Sequence, residues 1–392
     1  MNNVSSNNLL IAKKLLLAGA GHAHIGLLRR MANKGLDDTD TDIKVTVITE
    51  QPQTLYSGML PGWMAGHYQL NDISIDIVEL CRRAGVPLVQ RSIIAVDADK
   101  QTVATAKEEC FDYDVLSLNT GADTDLTWLT VGTLEGEDLE LINLESETKV
   151  VPVRPLVNFV EQWQHILEEA KRTSHYQLAV VGAGAAATEL VMAAQFALRQ
   201  VNPSHKAYLI CGEQLLSGFD KIFSARVMKQ LQRHDIEIIY ERATHLRGNK
   251  LATSHQTLTL NAVIAATGVM GSAWAAHTNL ANLGKGFIAV NSKQQSTSHA
   301  NVFAVGDVST RVDREIAHSG VHAVFGGVVE ADNLIAYLND EPLQSYQPKN
   351  RTLYLLSCGD KYAIASWGRF SVQGRWVWYL KRYIDKRFVN AK

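Results

Sequence analysis

Two short glycine turns carry the residues best suited to chemistry in this sequence. Gly19-Ala20-Gly21 and Gly182-Ala183-Gly184 each separate a strand-like apolar run from a helix-forming run. A turn of this kind lets the backbone approach a pyrophosphate, whose charge is stabilised by free N–H groups at the start of the helix. An acidic residue, Glu50 or Glu213, follows each turn by about 29 positions and can bind a ribose hydroxyl. The sequence therefore predicts two dinucleotide sites.

The two turns differ at the position where a small residue usually lets the helix pack closely on the strand. Ala187 occupies this position in the second copy and allows a close approach. His24 occupies it in the first copy, and we expect its large ring to point out of the helix–strand contact or to tilt the helix. Pyrophosphate binding at Gly19 and Gly21 is compatible with either outcome.

Each turn lies in a strand–turn–helix–strand unit whose apolar runs indicate buried parallel strands. The predicted elements are 14–18, 22–33 and 44–49 in the first unit and 177–181, 185–200 and 207–210 in the second. Prolines at 152 and 155 exclude a helix over 150–155, which we interpret as an extended linker. A later strand, 301–305, ends in Gly306-Asp307 and precedes a predicted helix over 316–338.

These elements predict an α/β protein with two Rossmann-like dinucleotide-binding domains and a small C-terminal α+β tail. The first domain is predicted to be split, over 1–150 and 285–345, around an inserted domain at 151–284. The tail, 346–392, ends in an amphipathic helix.

Charge and cysteine usage exclude other classes of protein. The 392-residue chain has 38 basic and 40 acidic residues, which gives no reason to expect a nucleic-acid partner. Its four cysteines, at 81, 110, 211 and 358, form no CxxC pair and indicate a reducing, cytoplasmic compartment. The Asn- and Ser-rich stretch 1–12 lacks the layout of a signal peptide and is predicted to be a frayed tail. No metal site is predicted.

Five motifs in a fixed order resemble those of a known family: GAG at 19–21, NTG at 119–121, GAGAAATE at 182–189, ATG at 266–268 and VFAVGD at 302–307. Over roughly 14–340 the chain resembles the pyridine nucleotide-disulfide oxidoreductase superfamily, and within it the type II NADH dehydrogenase branch. It is especially similar to the flavoprotein module fused to selenophosphate synthase, through GHAH at 21–24, LYSGMLPG at 55–62 and GRWVW at 374–378.

The resemblance implies that the split domain binds FAD and that the inserted domain binds NADH. NADPH is disfavoured because Glu213 would repel its 2′-phosphate. Asp307 would hold the FAD ribityl chain and Glu50 the adenosine ribose. Further FAD-binding residues are expected at Gly19, Gly21, His22, Ala23, Ser57, Met59, Thr120, Gly121, Gly306 and Ala317, and further NADH-binding residues at Gly182, Gly184, Ala187 and Gly268.

Three residues are expected to serve the reaction itself. Glu189 resembles the family glutamate that lies near the nicotinamide. His318 and His322, four apart on one predicted helix face, fall where type II NADH dehydrogenases face their quinone. The two imidazoles either deliver protons to an acceptor, or one contacts the flavin while the other is packed.

The last predicted helix, 374–388, is about 22 Å long, too short to span a bilayer. We assign it an apolar face of Trp376, Val377, Leu380, Tyr383, Ile384 and Phe388 and a basic face of Arg375, Lys381, Arg382 and Lys386. It docks on the chain's own FAD domain or on a partner, or it lies in the interface at the inner face of a membrane.

Within the superfamily, the absence of a cysteine pair implies that electrons leave directly from the flavin. The leading hypothesis is an FAD-dependent oxidoreductase that takes a hydride from NADH and reduces a quinone-like acceptor. Two alternatives stay open: a reductase of a soluble acceptor, either a selenium compound or an electron-transfer protein, and a flavin-binding regulatory protein. A homodimer is also left open.

Overall fold

The structure, a computed structural model, describes residues 12–35, 42–130, 148–349 and 351–391. Apart from Ala12, the predicted N-terminal tail lies outside the described residues. The described helices, numbered in chain order, are α1 His22–Lys34, α2 Leu60–Met64, α3 Ile77–Ala84, α4 Leu156–Arg172, α5 Ala185–Val201, α6 Lys221–Arg233, α7 Gly320–Leu338 and α8 Arg375–Val389.

The described strands are short and fall into several sheets. In chain order they are β1 Lys13–Ala18, β2 Ile43–Thr49, β3 Gln53–Leu55, β4 Ser74–Asp76, β5 Leu88–Gln90, β6 Ile93–Asp97, β7 Thr102–Thr105, β8 Cys110–Asp112, β9 Val115–Leu118, β10 Asp123–Thr124, β11 Lys149–Pro152, β12 Gln177–Val181 and β13 Lys206–Ile210. They continue as β14 Glu237–Ile239, β15 Ala243–Arg247, β16 Lys250–Thr253, β17 Thr257–Thr259, β18 Ala262–Ala265, β19 Val269–Met270, β20 Asn282–Leu283, β21 Phe287–Val290, β22 Val302–Ala304, β23 Ser309–Arg311, β24 Leu353–Ser357, β25 Ala363–Trp367 and β26 Phe370–Gly374.

Two five-stranded parallel sheets form the framework. The first has the order β22-β9-β1-β2-β5 and the second β11-β18-β12-β13-β14. The chain leaves the first sheet after β9, builds the whole second sheet, and returns with β22 beside β9. This gives an α/β fold of the Rossmann type. Along the chain, strands of the first sheet come both before and after the whole of the second sheet. The domain boundaries themselves stay a prediction.

Two predicted segments differ from the structure. Residues 150–152 of the predicted linker, together with Lys149, form β11, which pairs in parallel with β18. The extended conformation that the prolines impose is therefore used as an edge strand. The helix predicted from 316 begins at Gly320, because Ser319 before it is extended, with φ −150° and ψ 150°.

The tail consists of the antiparallel sheet β24-β25-β26 and α8. Helix α8 buries Val377, Trp378, Lys381, Asp385 and Val389. Its opposite side exposes large apolar residues, which we call the aromatic surface: Trp376, Tyr379, Leu380, Tyr383 and Ile384.

The single apolar face predicted for this helix is therefore wrong. Val377 packs inside, whereas Trp376 and Tyr383 face outward. Lys381, assigned to the basic face, is buried because Asp385, one turn later, pairs with it at 2.7 Å. No helix among the described residues is both long and apolar enough to cross a bilayer.

Two helical glycines offer a matched test of the α1–α7 contact. A Cβ on Gly327 of α7 would lie 2.6 Å from the Cβ of Ala23 on α1, whereas a Cβ on Gly26 of α1 would meet nothing within 4 Å. We expect Gly327→Ala to destabilise the protein by about 1–3 kcal/mol through overpacking. Gly26→Ala should stabilise it by about 0.5–1 kcal/mol, since alanine loses less backbone entropy in a helix. Guanidinium unfolding followed by circular dichroism measures both, and equal effects would contradict the close helix contact.

Candidate functional site

A cavity of about 440 Å³ opens at the carboxyl ends of β1, β2 and β9. We call it the large cavity, to distinguish it from a smaller one beside Asp307. This is the edge where open parallel sheets bind their ligands. Eight of the residues predicted to bind FAD line it: Gly19, Gly21, His22, Glu50, Ser57, Thr120, Gly121 and Asp307. The tertiary structure thus brings together turns and strand ends that are far apart in the sequence.

Asn119, at the end of β9, organises the first glycine turn. Its Oδ1 accepts a hydrogen bond from the backbone N–H of Ala23 at 3.1 Å, and its Nδ2 donates to the carbonyl of Val305 at 2.6 Å. A side chain on Gly21 would overlap this amide, and Gly19 has a positive φ of 91°. The glycines therefore leave room for Asn119 as well as for a ligand.

The ring of His24 does not point out of the helix–strand contact, which was one of the two outcomes expected from the sequence. The ring is fully buried below the turn. Its Nδ1 lies 2.6 Å from the carbonyl of Gly19 and its Nε2 lies 2.6 Å from Oγ of Ser117. A histidine is tolerated at this position, where a small residue is usual, because both of its buried ring nitrogens have hydrogen-bond partners.

The floor of the cavity presents polar atoms that have no protein partner. Asp307 forms an ion pair with Arg154 through one carboxylate oxygen, while its buried Oδ1 is unpaired. Nε2 of His22 is also buried and unpaired, and burial lowers the pKa of this ring to about 4. Orphaned polar atoms beside a glycine turn fit a ligand rich in hydroxyl and phosphate groups, as a dinucleotide is.

The second glycine turn likewise lies between a strand and a helix, β12 and α5. A Cβ on Gly182 would overlap the carbonyl of Ala266, and Ala187 packs directly beside it. Gly184 and Glu213 are exposed at this edge of the second sheet, where Glu213 follows β13. Gly268 follows β18 with φ 108°. The residues predicted for NADH thus lie at one sheet edge.

Glu189, on α5, faces the C-terminal tail. Its Oε1 accepts a hydrogen bond from the backbone N–H of Ser357 at 2.7 Å. Burial raises the pKa of Glu189 to about 7, while the positive charge of Lys381 opposes that rise and the negative charge of Asp385 adds to it. The carboxyl group is therefore poised to exchange a proton near neutral pH.

Helix α8 also reaches the loop that follows β3. Lys381 Nζ donates to the carbonyl of Gly58 at 2.5 Å, and the hydroxyl of Tyr56 donates to Asp385 at 3.3 Å. Met59 in the same loop is buried in the core and does not line the cavity, unlike Ser57. The loop that borders the cavity is thus fastened to the tail.

A smaller cavity, of about 40 Å³, lies on the other side of Asp307. Gly306, Ala317, His318 and His322 line it. His318 precedes α7 rather than lying on it, so the two imidazoles do not share a helix face as predicted. Its ring stacks on Phe287 with centroids 4.3 Å apart.

Burial favours the neutral form of the two imidazoles of this smaller cavity. His322 Nδ1 lies 3.1 Å from the hydroxyl of Tyr346. Burial lowers the pKa of both His318 and His322 below the ordinary value.

Several cavity residues have no counterpart among the sequence predictions. Asn119 belongs to the NTG motif, but no role is predicted for its side chain, although its position just after a strand is a usable signal. Trp274 lines the large cavity and donates from Nε1 to Thr120 Oγ1 at 3.3 Å. Arg154, between two prolines, carried no local signal at all.

None of the four cysteines lines the large cavity. Cys81, Cys211 and Cys358 are buried and free, and Cys110 is exposed on β8. Burial raises the pKa of Cys81 and of Cys211 to about 11, which leaves both thiols protonated and unreactive. Within the described ranges, no cluster of three or more acidic, His or Cys side chains could hold a metal ion.

Comparisons with solved structures agree with this fold. The sulfide:quinone oxidoreductase of Aquifex aeolicus aligns with a TM-score of 0.77 at 17% identity, over 97% of this chain and 92% of that one. NDH2 of Plasmodium falciparum in complex with NADH aligns with a TM-score of 0.75 at 13% identity, over 96% and 98%. At these identities the likeness establishes the fold alone.

A sequence pattern that covers most of the chain establishes its family, and individual relatives are similar to it at lower identity. Ferroptosis suppressor protein 1 of Taeniopygia guttata is 28% identical over 286 residues, which are 69% of this chain and 68% of that protein. An NADH oxidase of Lactococcus lactis subsp. cremoris is 28% identical over 236 residues, 57% of this chain but only 48% of the oxidase. The pattern of the pyridine nucleotide-disulphide oxidoreductases matches residues 13–326, well over half of the chain. The chain therefore belongs to the pyridine nucleotide-disulphide oxidoreductase family and is an FAD-dependent NAD(P)H oxidoreductase.

Proposed function

We propose that this protein passes a hydride from NADH to FAD and then reduces a quinone-like acceptor without a redox disulfide. The observation that carries the proposal is the wall of the large cavity, which holds a glycine turn, Asn119 and Asp307 but none of the four cysteines. A flavin there has no thiol to which it could pass electrons. The acceptor must therefore approach the flavin itself.

The residues around the cavity fit FAD. The Gly19–Gly21 turn would bind the pyrophosphate, Glu50 the adenosine ribose and Asp307 the ribityl hydroxyls, for which the unpaired Oδ1 is available. When bound, the flavin supplies the redox chemistry: it accepts a hydride and returns two electrons. The protein supplies position and charge.

The second turn would bind NADH. Glu213 stands at the end of the strand that follows the turn, where a carboxylate accepts hydrogen bonds from a ribose 2′-hydroxyl and repels a 2′-phosphate. NADH is therefore the preferred donor. Glu189, on the helix that begins at this turn, would lie beside the nicotinamide.

Proton balance assigns Glu189 a second task. Reduction of a quinone by NADH consumes the transferred hydride and one further proton, which a protonated carboxyl can supply. Glu189, with a pKa raised to about 7 by burial, is better matched to this task than His318 and His322, whose pKa values are lowered by burial. The two histidines would instead hold the flavin through neutral N–H groups.

The acceptor is proposed to be lipid-soluble. The sulfide:quinone oxidoreductase is named for a quinone acceptor. In this chain, the aromatic surface of α8 adjoins a groove lined by Arg382, Lys386 and Arg387. Exposed aromatic and apolar side chains flanked by cations are typical of a helix that lies in the interface of an anionic membrane. We propose a peripheral contact at the cytoplasmic face of a membrane, with a homodimer as the competing use of this surface.

Flavin reduction tests the donor and the acceptor together. After anaerobic mixing, NADH is expected to bleach the flavin absorbance about tenfold faster than NADPH does, because Glu213 repels the 2′-phosphate of NADPH. Glu213→Ser should narrow that difference. Reoxidation by a short-chain quinone should outpace reoxidation by selenite or oxygen. Faster reoxidation by selenite or by an electron-transfer protein would favour the soluble-acceptor alternative, and failure of both nucleotides to bleach the flavin would favour a regulatory protein.

The pH profile of quinone reduction tests Glu189. Starting from chemically reduced flavin, the rate is expected to fall as the pH rises through about 7, because the carboxyl loses its proton there. Glu189→Gln should lose this pH dependence and slow the reaction by about 100-fold, the usual contribution of a general acid. Glu213→Gln serves as the control and should keep the wild-type profile. A wild-type rate independent of pH between 6 and 8 would contradict the assignment.

Vesicle flotation tests the membrane contact. The double variant Trp376→Ser/Tyr383→Ser removes two side chains that are 57% and 63% exposed, so its fold should be unaffected. We expect its binding to anionic vesicles to fall about tenfold or more. Tyr240→Ser, at a position 48% exposed just after β14, is the matched control. Unchanged vesicle binding by the double variant would refute the membrane contact. If the wild type is a dimer in solution and the double variant is not, the aromatic surface serves self-association.

A further inference from the structure

Three polar side chains form a buried chain beneath the first glycine turn. His24 Nδ1 lies 2.6 Å from the carbonyl oxygen of Gly19, and His24 Nε2 lies 2.6 Å from Ser117 Oγ. Ser117 Oγ lies 2.8 Å from Oε1 of Glu330 on α7. All three side chains are essentially inaccessible to solvent. They come from α1, β9 and α7, so the contacts join segments about 90 and 213 residues apart.

The number of protons in this chain follows from its contacts. Three contacts need three protons, because each hydrogen bond uses one. The carbonyl of Gly19 can only accept, so Nδ1 of His24 must carry a proton. Neutral histidine, serine and an ionised glutamate together hold only two protons, which leaves one contact without a donor. The ordinary charge states at neutral pH therefore cannot satisfy the observed geometry.

We propose that His24, Ser117 and Glu330 form a positioning relay that holds one extra proton and keeps the FAD-binding turn in its binding geometry. Glu330 carries the proton and donates it to Ser117 Oγ. Ser117 then donates to Nε2 of His24, whose Nδ1–H donates to Gly19. The relay deepens the proposed function, since it rests on FAD binding at this turn.

Burial decides which member holds the proton. The alternative with the same proton count is a charged His24 beside an ionised Glu330. Burial disfavours both charges: it raises the pKa of Glu330 to about 8 and lowers that of His24 to about 4. Besides burial, the hydrogen bond with Ser117 affects the pKa of Glu330 and lowers it. The hydrogen bond with the Gly19 carbonyl affects the pKa of His24 and raises it. The nearby charges on α1 and α7, Arg30 and Asp332, pair with each other at 2.5 Å.

The relay connects the three elements that surround the cavity. Gly19 belongs to the turn, β9 leads into Asn119 and Thr120, and the start of α7 contributes Gly320 and Ala323 to the cavity wall. Loss of the proton leaves one of the three hydrogen bonds unmade in a fully buried place, which is costly. The consequence is a cofactor site whose geometry depends on a proton located beneath it.

The test compares FAD affinity of the full-length apoprotein across pH in the wild type, Glu330→Gln and Asp332→Asn. The wild-type dissociation constant should rise above pH 8, by up to about tenfold per pH unit, as Glu330 loses its proton. Glu330→Gln should bind FAD with a constant that does not change over the same range, because a glutamine N–H can donate to Ser117 at every pH. Asp332→Asn, on the same helix, should keep the wild-type slope.

The same proton should appear in the stability of the fold. The pKa of Glu330 lies above its unfolded value, so its contribution is greatest at low pH and is lost as the pH rises toward about 8. The protonation of His24 changes the stability only at pH values below 6.5, its pKa in the unfolded chain. Between pH 6.5 and 8 the melting temperature of wild type relative to Glu330→Gln should therefore fall.

Each outcome is decisive. A wild-type FAD affinity independent of pH, or an equal slope in Glu330→Gln, overturns the relay while leaving the FAD site intact. Failure of the wild type to bind FAD at any pH overturns the proposed site itself. If Glu330→Gln does not fold, carbon-13 NMR of glutamate-labelled Glu189→Gln protein decides. A carboxyl that titrates near pH 8 supports the relay, and titration of every glutamate in the ordinary acidic range overturns it.

Discussion

The carboxyl ends of the strands around the large cavity meet at one side chain, the amide of Asn119. It accepts from the start of α1 and donates to Val305 at the end of β22, so it joins the first part of the split sheet to the strand that returns to it. The absence of a side chain at Gly21 leaves the space that this amide occupies. Because these hydrogen bonds are buried, the turn, the cavity and the return of the chain to the first sheet depend on one another.

The C-terminal tail completes the site from the opposite side. Its backbone at Ser357 holds Glu189, and its buried Lys381–Asp385 pair contacts the loop at Gly58 and Tyr56. An ion pair in such a place lowers the cost of burial only because each charge also has hydrogen-bond partners. The tail thus contacts α5 through Ser357 of β24 and the loop after β3 through α8. Helix α8 also presents aromatic residues on its outer side, which links the proposed acceptor chemistry to the proposed membrane contact.

Much of the fold was predictable from local pattern. The strand–turn–helix units around Gly19 and Gly182 appear as expected, since glycine spacing and apolar runs are local properties. The interpretation failed where two distant segments share a contact. Residues 149–152 became a strand by pairing with β18, and the ring of His24 became acceptable through Ser117 and Glu330. The helix at 374–388 was correctly located, but which apolar stripe turned inward depended on the sheet against which it packs.

The sequence by itself determined that two glycine turns lie between a strand and a helix, which acidic residues follow them, and that no CxxC pair accompanies them. Those properties follow from residue type and short-range spacing. Only the tertiary structure decided the direction in which the pKa values of His22, Glu189 and Glu330 shift, and the partners of Asp307 and Lys381. A pKa depends on burial and on neighbours brought together by folding, and neither quantity is present in the order of residues along an unfolded chain.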